Sequence, residues 1–116
     1  MKIVSISEDK NIERRVAITP EIAKKYLSFG FEITISENYG DHLGFKDDEY
    51  KNLGVKISNN NNEILESGDI IVQLNLLSDK NLSSLKEGQI LVGVLNPYEN
   101  MNKIKDLIKK KINNFS

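Results

Sequence analysis

Asp69-Ile70-Ile71-Val72-Gln73-Leu74 and Gln89-Ile90-Leu91-Val92-Gly93-Val94-Leu95 are two short, nearly uninterrupted apolar runs, and their reading decides the fold class. A strand with one wet face alternates apolar and polar residues. A strand covered on both faces, as in a parallel sheet flanked by helices, reads as a continuous apolar run. Working outward, three shorter runs precede them: Ile3-Val4-Ser5-Ile6, Phe31-Glu32-Ile33-Thr34-Ile35 behind the helix-stopping Gly30, and Val55-Lys56-Ile57.

Helical patterns lie between these runs. Glu21–Phe29 places Ile22, Tyr26 and Phe29 on one side, with Thr19 as the cap and Pro20 at the first helical position, where its missing N–H costs nothing. Further segments are Asp47–Leu53, Glu63–Glu66 (barely more than a turn), Asp79–Leu85, and Glu99–Lys110. The last carries Met101, Ile104, Leu107 and Ile108 at helical spacing with lysines opposite, a core-packing stripe. Asn59–Asn62 reads as a polar loop. Strand alternating with helix predicts an α/β fold: a flavodoxin-like sandwich with a mainly parallel central sheet and helices on both faces. Residues 1–116 read as a single domain without internal repeats.

Composition narrows the function classes. The 116 residues are enough for one domain with a real core. A formal net charge of −1 gives no general attraction to nucleic acid or to an anionic membrane. The absence of cysteine removes disulfides, thiolate nucleophiles and thiolate metal sites. The start Met1-Lys2-Ile3-Val4 lacks a signal-peptide core, and no apolar run approaches the ~18 residues of a membrane span. A soluble, cytoplasmic domain is the expectation.

Motif chemistry is sparse. Neither a G-x-G-x-x-G turn nor a G-x-x-x-x-G-K-[ST] loop occurs. His42, the single histidine, sits in the glycine-bracketed loop Asn38-Tyr39-Gly40-Asp41-His42-Leu43-Gly44 and reads as solvated, with no second imidazole to complete a metal site. The carboxylates Glu8, Asp9, Asp47, Asp48 and Glu49 fall in loops or at helix starts, where the helix dipole explains them. The conspicuous feature is Glu13-Arg14-Arg15-Val16-Ala17-Ile18-Thr19-Pro20, which holds both arginines of the chain where the first strand gives way to the first helix. That is the rim on which α/β folds bind ligands, and arginine grips carboxylates and phosphates with two parallel hydrogen bonds. A solvated arginine, or one paired with Glu13 or Glu21, is the plainer reading. Asn75 follows the fourth strand and Asn96, in Asn96-Pro97-Tyr98, follows the fifth. In a parallel sheet Arg15, Asn75 and Asn96 converge on one edge, although asparagine also ends strands well for local reasons.

Taken together, the motifs resemble the N-terminal region of the NAD(P) transhydrogenase alpha subunit and of the related alanine dehydrogenases. The resemblance rests on Met1-Lys2-Ile3, the Glu-x-Arg-Val-Ala-Ile-Thr-Pro run at 13–20, Gly30-Phe31-Glu32-Ile33, Gly40 to Gly44, and Phe45-x-Asp47-x-x-Tyr50. It continues through Gly68-Asp69-Ile70-Ile71-Val72, Leu85-Lys86-Glu87-Gly88-Gln89 and Leu95-Asn96-Pro97-Tyr98, so it covers essentially all 116 residues. In alanine dehydrogenases, the resemblance implies, an arginine matching Arg15 works with a lysine at the position of Asn75 and a histidine at that of Asn96. Neither is present, and an amide serves as neither general acid nor general base near neutral pH. The departure favours the transhydrogenase branch.

What that branch implies is an expectation at this point. The domain would form one wall of a nicotinamide cleft lined by Arg15, Asn75 and Asn96, with no catalytic residue and no metal. NAD would be held mainly by a Rossmann domain absent from this chain, and NADP by a partner subunit. Hydride transfer would be coupled to proton translocation, and the domain would sit in the cytoplasm, peripheral to the inner membrane. The chain ends about where a sixth strand would start, and the family's returning helix is absent, so a fragment or split subunit with exposed apolar surface, and hence a homo-oligomer, is expected. Two rivals remain open: an amino-acid dehydrogenase of the same fold, and a stand-alone flavodoxin-like binding module. A phospho-receiver would need an acidic acceptor ending its third strand and a lysine after its fifth, where this chain has Lys56 within the third and Asn96 after the fifth.

Overall fold

The computed structural model describes residues 1–8, 14–74, 81, 83 and 85–93. Its elements run β1 (Lys2–Ser5), α1 (Pro20–Ser28), β2 (Glu32–Ser36), α2 (Asp47–Leu53), β3 (Lys56–Ser58), α3 (Asn61–Ser67), β4 (Ile70–Gln73) and β5 (Ile90–Gly93), with a 3-10 turn at Asp41–Leu43. The expected segments at Asp79–Leu85 and Glu99–Lys110 lie wholly or largely outside the described residues.

The five strands form one sheet in the order β3-β2-β1-β4-β5, and every neighbouring pair is parallel. The mainly parallel α/β sandwich read from the sequence is therefore present. The order is that of Rossmann-type sheets; flavodoxin itself orders its strands 2-1-3-4-5. Helices cover both faces. Ile3, Ile33, Ile35, Ile70 and Val72 point to one face and pack with Ile22, Ala23 and Tyr26 of α1 and Tyr50 of α2. Val4, Ile6 and Ile71 point to the other and pack with Ile64 and Leu65 of α3. The alternation of Ile3 with Val4 and of Ile70 with Ile71 is the period-2 geometry of a strand wetted on neither side.

Local chemistry sets the element ends. The Thr19 hydroxyl accepts the Ile22 N–H, and Pro20 takes the first helical position. Such a cap contributes about 1 kcal/mol. Gly54 ends α2 in the left-handed conformation at φ 106°. The Asn60 side chain caps α3 by accepting the Glu63 N–H. Helix α3 is consequently longer than the turn read at Glu63–Glu66, and Asn61 and Asn62 belong to it rather than to a loop. Phe29 lies at the end of α1 and is 44% exposed, not part of the buried stripe. Strand β5 is less buried than its composition suggests. It is an edge among the described strands, and Leu91 is 41% exposed. Among the described residues no helix is long and apolar enough to cross a membrane.

Gly68 marks the closest approach of the α3–β4 connection to the sheet. A Cβ there would overlap both Val4 methyl groups of β1. At Gly93 a Cβ would meet nothing within 4 Å. Gly68→Ala is expected to cost about 1–3 kcal/mol in urea-monitored stability, as overpacking does, and Gly93→Ala to stay within about 0.5 kcal/mol. Equal effects of the two would show that the approach of Gly68 to Val4 is not tight.

Candidate functional site

The site is built where strand order reverses. The chain leaves β1 toward β2 and β3, then returns to pair β4 against the opposite edge of β1. In open parallel sheets such a switch point, at the carboxyl ends of the two strands, is where ligands bind. The β1–β4 register comprises Ile3↔Ile70 and Val4↔Ile71. Beyond it, backbone groups need other partners, because unpaired buried peptide groups are costly.

Gln73 supplies them. Its Oε1 accepts the Ile6 N–H at 2.7 Å, and its Nε2 donates to the Ile6 carbonyl at 3.1 Å. The side-chain amide thus stands in for a missing peptide of the ladder, and it is 1% exposed. Ser5 completes the seal. Its Oγ lies 2.6 Å from the Val72 carbonyl, 3.0 Å from Gln73 Oε1 and 2.9 Å from the Tyr39 hydroxyl. One assignment satisfies all of these groups. The Ile18 N–H donates to Tyr39 at 3.1 Å, Tyr39 donates to Ser5, and Ser5 donates to Val72. On the next residues outward, the Leu74 N–H donates to Glu8 Oε2 at 3.0 Å, and the Ser7 N–H to Ser36 Oγ at 2.9 Å.

The arginine-bearing segment is seated on this network. Tyr39 holds the Ile18 N–H, and the Tyr50 hydroxyl donates to the Ile18 carbonyl at 2.8 Å. The two tyrosine rings meet edge to face, 6.0 Å apart at 84°. Val16, Ala17 and Ile18 are buried, whereas Arg14 and Arg15 are exposed. At the outer end, His42 Nε2 donates to the Arg14 carbonyl at 2.6 Å. The histidine read as merely solvated is exposed but fastens the arginine segment. The loop that carries Tyr39 and His42 depends on Gly40, where a Cβ would lie 2.8 Å from Phe45 Cβ and 3.1 Å from the Tyr50 hydroxyl. Both Asp47 carboxylate oxygens accept the N–H of Asn38, which sits at φ 57°. Asp47 therefore does more than meet a helix dipole.

Of the three expected site residues the structure describes Arg15, which is exposed; Asn75 and Asn96 lie outside the described residues. Sequence reading missed Ser5, Gln73, Tyr39 and Tyr50. The available signal was a polar residue at the carboxyl end of each of two otherwise apolar strands. Among the described residues no group of acidic, histidine or cysteine side chains could hold a metal. The rim also does not fit a dinucleotide cradle. Residues 6–20 contain no glycine, the Thr19 side chain takes up the Ile22 N–H at the helix start, and Ser5, Tyr39 and Gln73 are engaged within the protein. What the arrangement offers is an exposed arginine segment whose backbone is held by His42, Tyr39 and Tyr50.

Comparison with known proteins bears on that segment. The family model "Alanine dehydrogenase/PNT, N-terminal domain" matches residues 5–116. The chain is 41% identical over 120 residues to an NAD(P) transhydrogenase subunit alpha polypeptide of Rickettsia prowazekii, covering 100% of this chain and 31% of that protein. It is 35% identical over 101 residues to the NAD(P) transhydrogenase subunit alpha of Haemophilus influenzae, covering 87% of this chain and 19% of that one. The solved structure of transhydrogenase from Sinorhizobium meliloti superposes with a TM-score of 0.71 at 27% identity, over 86% of this chain and 30% of that chain. The chain thus spans a third or less of the length of these relatives.

Burial raises the Tyr39 hydroxyl well above its ordinary pKa of 10.0, and its hydrogen bonds with Ser5 and Ile18 offset this only in part. Burial does the same to Tyr50, with Tyr39 and the carboxylates of Glu49 and Asp47 adding to it. Both hydroxyls therefore remain donors throughout the physiological range. For such groups the unfolded state loses its proton first, so their contribution is complete below about pH 10 and falls as pH rises further. In an alkaline titration the tyrosinate absorbance of Tyr39 and Tyr50 is expected to appear together with loss of far-UV circular dichroism. In Tyr39→Phe/Tyr50→Phe protein that coincident step is expected to shrink. Ionisation of both tyrosines in the folded protein near pH 10 would contradict their burial.

Proposed function

The chain belongs to the alanine dehydrogenase/PNT N-terminal-domain family, and from that premise we propose that it is the N-terminal domain of an NAD(P) transhydrogenase alpha subunit. The observation that carries this reading is the Arg15 segment, fastened through Ile18 to Tyr39 and Tyr50 at the rim of the strand-order switch. The domain forms one wall of a cleft in which hydride passes between NADH and NADP⁺. Its role is to orient and to exclude water, because the nicotinamides supply the chemistry. NAD is held mainly by a Rossmann domain outside these residues and NADP by a partner subunit. Residues 1–116 act as one domain, and the assembly lies at the cytoplasmic side of the inner membrane, coupled to proton translocation. Two features support the reading: relatives named for transhydrogenase match across the chain, and amides stand at positions 75 and 96. By resemblance, those positions would hold a lysine and a histidine in an amino-acid dehydrogenase.

Two measurements test it. The chain alone is expected to bind NADH more weakly than about 100 μM, roughly −5.5 kcal/mol, in a calorimetric titration. In the assembled enzyme, Arg15→Ala is expected to lower the hydride-transfer rate about 10-fold or more, as loss of a charge-assisted contact does, while Arg14→Ala leaves it near wild type. Both substitutions should cost only about 0–1 kcal/mol of stability, because the side chains are exposed. Pyruvate formation from alanine and NAD⁺ by the assembled enzyme would instead assign the chain to the dehydrogenase branch.

A further inference from the structure

We infer that Tyr50, Tyr39 and His42 are positioning residues that act through Arg15, by fixing the backbone on either side of it before any ligand arrives. This rests on the reading of Arg15 as a cleft residue. His42 Nε2 donates to the Arg14 carbonyl, which belongs to the same peptide unit as the Arg15 N–H. Three residues later, Tyr39 accepts the Ile18 N–H and Tyr50 donates to the Ile18 carbonyl, so the peptides before and after Ile18 are both held. Arg15 thus lies between two anchorages that come from one stretch of chain, residues 39–50. The burial of Val16, Ala17 and Ile18 closes the interval between them.

The chemistry of the anchors suits the task. Tyrosine is stiff, and each of these rings is buried and braced by the other. Tyr39 is itself held by Ser5, at the carboxyl end of β1. The position of the arginine segment is therefore referred to the sheet through the hydrogen-bonded side chains of Tyr39 and Ser5 rather than left to loop preference. A long side chain on a mobile loop must be ordered when its ligand binds, at a cost taken from affinity or rate. Here the backbone share of that cost is met during folding. Small misplacements of a positioned group reduce rates steeply.

The test is a set of double-mutant cycles on hydride transfer in the assembled enzyme, with melting temperature followed in parallel. Tyr50→Phe and His42→Ala are each expected to lower the rate about 10-fold. His42→Gln, whose Nε2 also donates, is expected to recover most of the loss. On an Arg15→Ala background, Tyr50→Phe and His42→Ala are expected to have no further effect on rate, although Tyr50→Phe still lowers the melting temperature. Undiminished losses on the Arg15→Ala background would overturn the inference, as would wild-type rates for Tyr50→Phe and His42→Ala. His42 is exposed, so its arm decides the matter if Tyr50→Phe does not fold. A wild-type rate for Arg15→Ala alone would fail the underlying functional reading rather than this refinement of it.

Discussion

The Gln73 side chain paired to both polar groups of the Ile6 backbone is the interaction on which the rest of the rim depends. A parallel sheet whose strand order reverses must open where the connections diverge. The opening exposes the last peptides of two central strands to an apolar interior. The cost of an unmet peptide group there is about 1–3 kcal/mol. Gln73 meets both groups at once and keeps β1 and β4 in register one step past their ladder. Ser5 can then face Val72 and Tyr39, Tyr39 can reach Ile18, and the arginine segment gains a floor. The switch point is at once a weak place in the sheet and the place where a loop from each side can meet a ligand.

Division of labour follows from the same geometry. In a dinucleotide-binding sheet the turn after β1 is short and glycine-rich, so that a pyrophosphate can approach the helix start. Here that turn is long and lacks glycine, and the helix start is capped by Thr19. The fold has the strand order of a nucleotide-binding sheet with its phosphate-binding device replaced by an anchored cationic segment. On the function proposed above, a domain so built would serve as a wall to a cofactor held by another domain. The side chains of Ser5, Tyr39 and Gln73 are neutral, buried and hydrogen-bonded to one another or to the backbone, which avoids the desolvation cost of a buried ion pair at this place.

Much of the fold was legible in the sequence. Apolar runs placed the five described strands to within a few residues, and Thr19, Pro20 and Gly30 marked the ends of α1 through local backbone chemistry. Strand order was not legible, because it depends on which distant runs pair. The run at Gln89–Leu95 overstated burial for the related reason that composition does not say which strand lies at an edge; Leu91 is exposed. Helix α3 was underread because four consecutive asparagines look like a loop, although Asn60 is its cap. At the site, Arg15 stood out through its rarity and its place after a strand. Gln73, Ser5 and Tyr39 did not, since their partners lie 67 and 34 residues away in sequence. The resemblance to a family pointed to the arginine segment without showing what holds it.

Native-state amide hydrogen exchange at single-residue resolution tests the sealing of the switch point most directly. The Ile6 and Ile18 amides donate to side chains, Gln73 and Tyr39, rather than to a backbone ladder. They should nonetheless exchange as slowly as the central β1 amide of Val4, and Gln73→Ala should selectively free Ile6 and then Ile18. Exchange of Ile6 and Ile18 at the rate of exposed loop amides in the wild-type protein would contradict the claim that these side chains close the sheet and seat the arginine segment.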